Sequence, residues 1–420
     1  MDLQLQKQIG KEDKNWSFSN LSRRETNYLT HGYHKYPAKF IPQVVSKIIE
    51  KYSSEGDWIL DPFGGCGTTL VESKLNGRNS IGIDINDIAV LISKTKISEI
   101  NPKKLEINNK KILNKITKLK IKKNYYKSTN QRLKYWFKKN QFNKLMELYN
   151  LLRKVQDKKI KTFYLCCFSN ILKNCSIWYS KSIKPMRDPN KLDQDPLLIF
   201  KKHVTLMTDK NKEFFNRLNN NRKEKMTCIM QKGDARNLSI ESDSINLVIT
   251  SPPYFTSYEY AELHQLSTLW FGFAADMNEI KEKFIGTAFR KDVRINFESK
   301  LADKIIKMLN KKDKSLAKHA TNYFSDLKLC YEEIYRVLKN KGKACIIIGN
   351  TEYKGIKIKN METSLELLKI LGFKLERVIK RRLSSKTFTP FRDENGRFTN
   401  SKNNSKKTIY KYEYIMVVGK

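Results

Sequence analysis

Two short segments of this 420-residue chain carry residue types suited to group-transfer chemistry. Residues 61–69 read DPFGGCGTT, and their closely spaced glycines let a ligand approach the backbone without obstruction by a Cβ atom. The segment Ser251-Pro252-Pro253-Tyr254 combines hydrogen-bond acceptors with an aromatic ring that can stack on a base. Together the segments predict a site that holds a small charged cofactor beside an extruded nucleobase.

The stretches around the first segment predict the elements that position it. Residues 58–61 and 80–84 are apolar runs that each end in an acid, Asp61 and Asp84, and residues 69–75 between them have a helical pattern. This order of strand, helix and strand is typical of a βαβ unit, and such units build parallel sheets. We therefore predict an α/β fold with both acids at the ligand-binding edge of the sheet.

Further elements are predicted on both sides of this unit. The patterns predict helices over 42–52, 260–273, 323–338 and 361–371, and strands over 227–230, 245–250, 344–349, 375–382 and 409–418. The last two strands are expected to form a terminal hairpin. The strand over 245–250 leads directly into Ser251, so the second segment is expected at the same edge of the sheet as Asp61.

The two segments resemble motifs of the DNA amino-methyltransferases, the family that methylates N4 of cytosine or N6 of adenine. Residues 61–69 are similar to motif I, which surrounds S-adenosylmethionine, and residues 31–42 are similar to motif X, which closes over the methionine end of that cofactor. The Ser251 turn is similar to motif IV in its SPPY form, in which cytosine-N4 members usually carry serine. The resemblance implies a Rossmann-like S-adenosylmethionine-dependent methyltransferase sheet with a largely helical basic insertion.

The resemblance also implies which residues bind the cofactor. Asp84 is expected to accept hydrogen bonds from both ribose hydroxyls, and Asp234 to reach the adenine amino group. The other implied cofactor-binding residues belong to motifs X and I and are Tyr36, Phe40, Pro42, Asp61, Phe63, Gly65, Gly67, Thr68 and Thr69.

The SPPY turn suits methyl transfer onto an exocyclic amine. The lone pair of such an amine is conjugated into the base, so an enzyme helps by accepting hydrogen bonds from the NH2 group and orienting the lone pair toward the methyl group. The Ser251 hydroxyl and the Pro252 carbonyl are the expected acceptors, Pro253 helps to stiffen the turn, and Tyr254 is expected to stack on the flipped base. The resemblance implies direct transfer to cytosine N4 in a specific duplex DNA sequence.

Three other functions stay open at this point. Adenine-N6 methylation of DNA is one, because some SPPY members of the family act on adenine. Methylation of an exocyclic amine in RNA is the second, and an appended RNA-binding module would argue for it, but the sequence has no sign of one. The third is a catalytically inactive DNA-binding protein, which the intact glycines, Asp84 and the SPPY turn oppose. The thiolate mechanism of the cytosine-C5 enzymes is not supported, because the sequence contains no Pro-Cys dipeptide.

A basic region interrupts the sheet pattern between residues 101 and 225. Residues 101–160 alone contain 19 Lys or Arg residues against 3 Asp or Glu residues, in long helical patterns. We predict an insertion that recognises the DNA target, flanked by two parts of a catalytic domain, residues 1–100 and 226–420. On composition, its candidate DNA contacts are Arg132, Tyr135, Trp136, Trp178 and Arg187, most of which are expected to serve packing or to contact phosphate.

The net charge of +39, from 82 Lys or Arg residues against 43 Asp or Glu residues, predicts duplex DNA as the partner, because such a field concentrates polyanions. Codon bias in an AT-rich genome would also raise the lysine content.

The seven cysteines form no CxxC pair, and His31 and His34 lack a third ligand, so the sequence indicates neither disulfides nor a metal site. With no apolar run of about 18 residues, no membrane span is expected. We expect a reduced, cytoplasmic protein with a cognate restriction endonuclease as a functional rather than physical partner.

Overall fold

A seven-stranded sheet forms the centre of the protein, and helices cover both of its faces. The structure is a computed structural model that describes residues 9, 11–37, 39–220, 226–255, 260–287, 297–353, 355–383, 391–392, 407–408 and 411–420. The helices are α1 (Pro42–Tyr52), α2 (Thr68–Leu75), α3 (Asp87–Ile97), α4 (Pro102–Thr117), α5 (Gln131–Trp136), α6 (Lys139–Arg153), α7 (Lys158–Cys175), α8 (Pro196–Asn220), α9 (Tyr260–Leu263), α10 (Gln265–Phe271), α11 (Met277–Lys281), α12 (Lys300–Asn310), α13 (Lys314–Val337) and α14 (Asn360–Ile370). The strands are β1 (Trp58–Asp61), β2 (Asn79–Asp84), β3 (Cys228–Lys232), β4 (Ile245–Thr250), β5 (Leu338–Ile348), β6 (Thr351–Tyr353), β7 (Ile356–Ile358), β8 (Lys374–Arg382), β9 (Phe391–Arg392), β10 (Lys407–Thr408) and β11 (Tyr412–Gly419). Over the described ranges, no helix is both long and apolar enough to cross a membrane.

The strand order of the sheet is β3-β2-β1-β4-β5-β11-β8. The five strands β3, β2, β1, β4 and β5 are parallel to one another. Strand β11 is antiparallel to both β5 and β8. This arrangement confirms the predicted α/β, Rossmann-like fold and the predicted pairing of the two C-terminal strands. Because the strand order reverses between β1 and β4, a crevice opens at their carboxyl ends, which is where open α/β sheets bind ligands.

Helix α1 covers one face of the sheet. Pro42 occupies its first turn, where a missing N–H is tolerated. Val44, Val45, Ile48 and Ile49 recur at helical spacing and are fully buried against apolar side chains of β1, β4, β5 and β11. Helices α12, α13 and α14 pack on the other face. The central strands are therefore buried on both sides, which explains their continuous apolar sequences.

The described residues of the basic insertion form helices α4 to α8 and add no strand to the sheet. Their apolar side chains share one core with helices α3 and α10 and with Cys66 of the glycine loop. In this core the rings of Phe142 and Phe137 lie 4.7 Å and 5.2 Å from the ring of Trp270 in α10. The insertion thus packs directly on the elements that surround the crevice.

Two of the candidate DNA contacts in the insertion prove to be core residues. Trp136 and Trp178 are each 2% exposed, and their rings stack at a centroid distance of 5.0 Å. The prediction that these two indoles contact DNA is wrong, because they fill the interior of the insertion instead.

The structure also corrects three predicted elements. The helix expected over 260–273 is two helices, α9 and α10, because the chain leaves helical geometry at His264 (φ −102°, ψ 4°). The helix expected from 323 begins at Lys314, where Asp313 accepts hydrogen bonds from the backbone N–H groups of its first turn. The strand expected from 344 begins at Leu338 and contains an irregularity near Lys341, whose φ is 66°. Residues 409 and 410, the expected start of the last strand, lie outside the described residues.

Gly82 of β2 leaves no room for a methyl group. A Cβ atom built there would lie 2.6 Å from Leu70 Cδ1 in α2 and 2.9 Å from the Met230 sulfur. We expect Gly82→Ala to lower the free energy of unfolding by about 1 to 3 kcal/mol, because overpacking forces neighbouring side chains off their rotamers. Gly419→Ala in β11 is the matched control, since the nearest atom there is a flexible carboxylate oxygen of Glu376 at 3.1 Å. Urea unfolding measures both, and equal effects would contradict the packing argument.

Candidate active site

The carboxylate of Asp61 joins the two predicted segments. Thr250, the last residue of β4, donates its hydroxyl to Asp61 Oδ1 at 2.8 Å, and Thr69 in α2 donates to Oδ2 at 2.7 Å. The Phe63 N–H also donates to Oδ1, at 3.1 Å. Burial raises the pKa of Asp61 to about 6, although these hydrogen bonds lower it. One buried side chain therefore fixes the glycine loop relative to the SPPY turn that follows Thr250.

The glycine loop turns sharply onto the start of α2. Gly67 has φ +76°, a left-handed conformation that favours glycine, and a Cβ atom there would lie 2.8 Å from the Ser93 hydroxyl oxygen. Its N–H donates to the Gly64 carbonyl at 2.8 Å, which closes the turn. The loop can keep this shape only if position 67 has no side chain.

Asp84 and Ser93 hold the Gly65 peptide from two sides. Asp84 Oδ2 accepts the Gly65 N–H at 2.8 Å, and the Ser93 hydroxyl donates to the Gly65 carbonyl at 2.7 Å. Asp84 Oδ1 accepts the Asn86 N–H at 2.8 Å. Burial raises the pKa of Asp84 to about 6 despite these backbone donors. Asp84 as a residue is partly exposed, and a carboxylate can accept more hydrogen bonds than these two.

Tyr36 of the motif X segment lies against the glycine loop. A Cβ atom built on Gly65 would lie 3.6 Å from the Tyr36 ring. The same ring stacks on His264 at 5.0 Å and on Tyr260 at 6.1 Å. Burial and the nearby Asp84 charge raise the pKa of Tyr36 well above its usual range. Tyr36 thus connects the loop to the helices that follow the SPPY turn.

The remaining predicted cofactor residues lie in different parts of the structure. Thr68 and the half-buried Phe63 stay with the glycine loop, whereas Phe40 packs against the apolar cluster beneath α1. The carboxylate of Asp234 is bound by Arg236, at 2.9 Å from Nε to Oδ1 and 2.6 Å from Nη2 to Oδ2. Contact of Asp234 with an adenine therefore requires it to share its oxygens with that guanidinium.

The Tyr254 hydroxyl is anchored on the C-terminal strand. It donates to Glu413 Oε1 at 2.6 Å, and Arg381 Nη1 donates to Glu413 Oε2 at 3.0 Å. Burial and then the Glu413 charge raise the pKa of Tyr254, whereas a side-chain hydrogen bond with Ser251 lowers it. Arg381 is 1% exposed, and within the described residues its Nε and Nη2 atoms have no hydrogen-bond partner. A Cβ atom at Gly349 would lie 3.0 Å from the Tyr254 ring, so the ring is confined at its edge as well.

Several residues of this site were missed by sequence reasoning. Glu413 carries a recognisable signal, since it is a charged residue among the apolar and aromatic residues of β11. Arg381 carries none, because it lies between Lys380 and Arg382 at the end of β8. Their pairing across β11 and β8 is what makes that burial tolerable. Ser93 and His264 carry no such signal. Their contacts with the Gly65 carbonyl and the Tyr36 ring arise only when α3 and the junction of α9 and α10 pack beside the glycine loop.

The residues around the crevice fit an adenosine that carries a cationic group. The partly exposed Gly65 has no Cβ atom that would obstruct a ligand, Asp84 offers two acceptor oxygens, and the Tyr36 ring offers a face that attracts positive charge. A side chain at position 65 would enter the space between the loop and Tyr36. The SPPY turn lies at the end of the neighbouring strand, so a second ligand there would meet the first.

Comparison with known proteins identifies relatives of this chain. The sequence model of the N6/N4 methyltransferase family, described as DNA methylase, matches residues 2–95 and 245–420. The Type II methyltransferase M.MvaI of Kocuria varians is 28% identical over 381 residues, which cover 84% of this chain and 83% of that protein. The Type II methyltransferase M.BsoBI of Geobacillus stearothermophilus is 25% identical over 409 residues, or 83% of this chain and 79% of that protein. The Type II methyltransferase M.MjaII of Methanocaldococcus jannaschii is 43% identical over 96 residues, or 23% of this chain and 18% of that protein.

Glu413 is expected to stabilise the fold through Arg381 more than through Tyr254. Glu413→Gln removes the negative charge beside a buried guanidinium, and we expect it to lower the free energy of unfolding by about 3 kcal/mol or more. Tyr254→Phe removes one neutral donor, and we expect a loss of about 1 kcal/mol. Denaturant titration of both variants measures the difference. If Glu413→Gln proves no more harmful than Tyr254→Phe, the ion pair does not stabilise this edge of the sheet.

Proposed function

This chain belongs to the N6/N4 family of DNA methylases, and we propose that it methylates the N4 amino group of cytosine in a specific duplex DNA sequence. Its methyl donor is S-adenosylmethionine, and its substrate is DNA. Ser251 is the observation that carries the choice of cytosine, because family members that act on cytosine N4 usually have serine at this position of the turn. The placement of this turn beside the glycine loop, through Asp61, supports transfer between the two sites.

In the proposed mechanism the target base leaves the duplex and lies against the SPPY turn. Ser251 Oγ and the Pro252 carbonyl accept the two amino hydrogens and orient the nitrogen lone pair away from the ring system. Tyr254 presents its ring for stacking, and its bond to Glu413 restricts how that ring can rotate. S-adenosylmethionine supplies a methyl group on a cationic sulfur. Transfer is direct, without a covalent bond between the protein and the base, and the methylated amine then loses one proton to Ser251 or to water.

The proposed cofactor contacts follow the geometry of the loop. The Gly65 and Gly67 backbone approaches the cofactor, Asp84 accepts the ribose hydroxyls, and Tyr36 lies over the methionine end. Asp61 and Thr69 act by holding the loop, since their side chains bond to each other. Roles for the other family positions, Phe40, Pro42, Phe63, Thr68 and Asp234, are carried over from the resemblance.

We also propose that residues 101–225 recognise the DNA target, between catalytic parts at 1–100 and 226–420. The family match supports this division, because residues 96–244 lie outside it. The relatives named as Type II methyltransferases further suggest a cognate restriction endonuclease that acts on the same sequence. In such a system the methyl group protects host DNA in the cytoplasm.

Incubation of the protein with S-adenosylmethionine and duplex DNA is expected to yield N4-methylcytosine, measured by mass spectrometry of released nucleosides. Ser251→Ala should lower kcat about 10²- to 10³-fold, because the lost acceptor acts mainly as the transition state forms. Tyr254→Ala should weaken productive base binding by about 1 to 3 kcal/mol, the size of a stacking contribution. Tyr254→Phe, which keeps the ring, is the matched control.

Several results would contradict this assignment. N6-methyladenine as the sole product would move the activity to adenine, and methylation only in RNA would overturn the proposal. A Ser251→Ala enzyme with the wild-type kcat would remove Ser251 from the mechanism. Calorimetry should show unchanged cofactor affinity in all three variants, which separates these effects from unfolding.

Lowering the pH is expected to weaken cofactor binding through Asp84. Burial raises the pKa of Asp84 to about 6, and the proposed ribose hydrogen bonds require its carboxylate form. Binding therefore favours the ionised state, so affinity is full well above pH 6, starts to fall as the pH approaches 6, and at lower pH falls by about tenfold per pH unit for one proton. Calorimetry across this range measures the effect.

Asp84→Asn is the control for this pH dependence. We expect it to bind S-adenosylmethionine about 1 to 3 kcal/mol more weakly, the size of hydrogen bonds to a charged acceptor. Its pH dependence should be shallower, with the remainder due to Asp61, whose pKa is also raised to about 6. Wild-type affinity and pH dependence in this variant would exclude Asp84 from the ribose site.

A further inference from the structure

Two arginines stack on an exposed tyrosine at the surface of the insertion. The guanidinium carbon of Arg187 lies 4.2 Å from the centroid of the Tyr135 ring, and that of Arg132 lies 5.8 Å from it. Tyr135 is 46% exposed, and both arginines are exposed. Neither guanidinium has a carboxylate partner in the part of the chain that the structure describes. Two planar cations are thus presented together without a counter-charge.

Buried aromatic residues fix the position of this arginine–tyrosine stack. Trp136, next to Tyr135 in the chain, stacks on Trp178 at 5.0 Å. Trp178 pairs with Arg187 across an antiparallel bridge, and the Ile177 N–H donates to the Trp136 carbonyl at 2.9 Å. The backbone beneath both arginines is therefore tied to the core, so their guanidinium groups lose little freedom when they bind a ligand.

The stack is also joined to the candidate active site. Gln265 Oε1 accepts hydrogen bonds from Arg132 Nε at 3.1 Å and from Trp136 Nε1 at 3.0 Å. Gln265 is the first residue of α10, and its neighbour His264 stacks on Tyr36 beside the glycine loop. A ligand on the stack would consequently be held in a fixed relation to the site where the target base is methylated.

We propose that the arginine–tyrosine stack reads a guanine of the DNA target through its major-groove edge. This inference rests on the proposed function, because it takes duplex DNA as the substrate. The guanidinium fork matches the O6 and N7 acceptors of guanine, and stacking on an aromatic ring orients the fork in advance. Lys181 and Lys184 are exposed and lie in the segment between the bridged residues Trp178 and Arg187. They suit phosphate contacts, which position the duplex without reading its sequence.

This inference can be tested by selecting the DNA duplexes that the protein binds, an experiment that does not depend on methyl transfer. The full chain, with S-adenosylhomocysteine present, is mixed with duplexes that have a random central sequence, and bound duplexes are sequenced. The wild-type protein is expected to enrich one motif that contains a G·C pair. Arg187→Lys keeps the charge but loses the fork, so it should lose the preference at one G·C position and bind the enriched duplex about tenfold more weakly. Its affinity for the unselected pool should change by less than about twofold, since phosphate contacts remain.

Tyr135→Ala should have the same effect as Arg187→Lys, because it removes the ring that orients both arginines. The matched control is Arg153→Lys, since Arg153 is also exposed and lies 5.6 Å from the centroid of the Tyr149 ring. This control should keep the wild-type motif and affinity. Thermal unfolding and calorimetric cofactor binding, both expected to match the wild type, confirm that the variants are folded.

The inference is overturned if Arg187→Lys and Tyr135→Ala retain the motif and affinity of the wild type. An equal loss of affinity for the enriched duplex and the unselected pool would also overturn it, because that pattern indicates phosphate contacts. A wild-type protein that enriches no motif has no reading surface. If a motif is enriched but no methylated base is formed in the product assay, the proposed function fails while the reading surface stands.

Discussion

The buried carboxylate of Asp61 is the constraint on which the rest of the site depends. It stands at the point where the strand order reverses, and its hydrogen bonds bind the end of β4 to the start of α2. Those two elements come from distant parts of the chain, and each carries one half of the site. Because a carboxylate can accept several hydrogen bonds at once, a single buried group sets the distance between the glycine loop and the SPPY turn. Burial of such a charge is tolerated only with these donors in place.

A second set of contacts connects the glycine loop to the helices that follow the SPPY turn and to the insertion. Tyr36 lies on the glycine loop and stacks on His264, and Gln265 then connects that helix to the insertion. On the opposite side, Tyr254 is held by Glu413 and Arg381 of the antiparallel edge. The glycine loop, the SPPY turn and the insertion therefore form one connected network. A disturbance in any of these parts is expected to reach the others through packed side chains.

Much of this architecture could be predicted from sequence because its signals are local. Apolar runs that end at Asp61, Asp84 and Thr250 predict the strands and the edge of the sheet at which the crevice lies, and the fold and family are confirmed. The roles of the individual site residues stay predictions. Contacts such as Tyr254 with Glu413 could not be predicted, because they join residues far apart in the chain across strands whose order no local pattern specifies. Trp136 and Trp178 were misassigned for a related reason: an indole is equally suited to a base or a core, and only burial decides.

The shared core beneath the insertion bears on how such enzymes acquire new targets in evolution. A recognition region with its own interior could be exchanged between relatives by recombination. Here Phe142 and Phe137 pack on Trp270, and helix α3 belongs to the same cluster, so a foreign insertion would leave the catalytic unit uncovered. Diversification is then expected to proceed by point changes on the exposed rim, with the interior inherited as a whole.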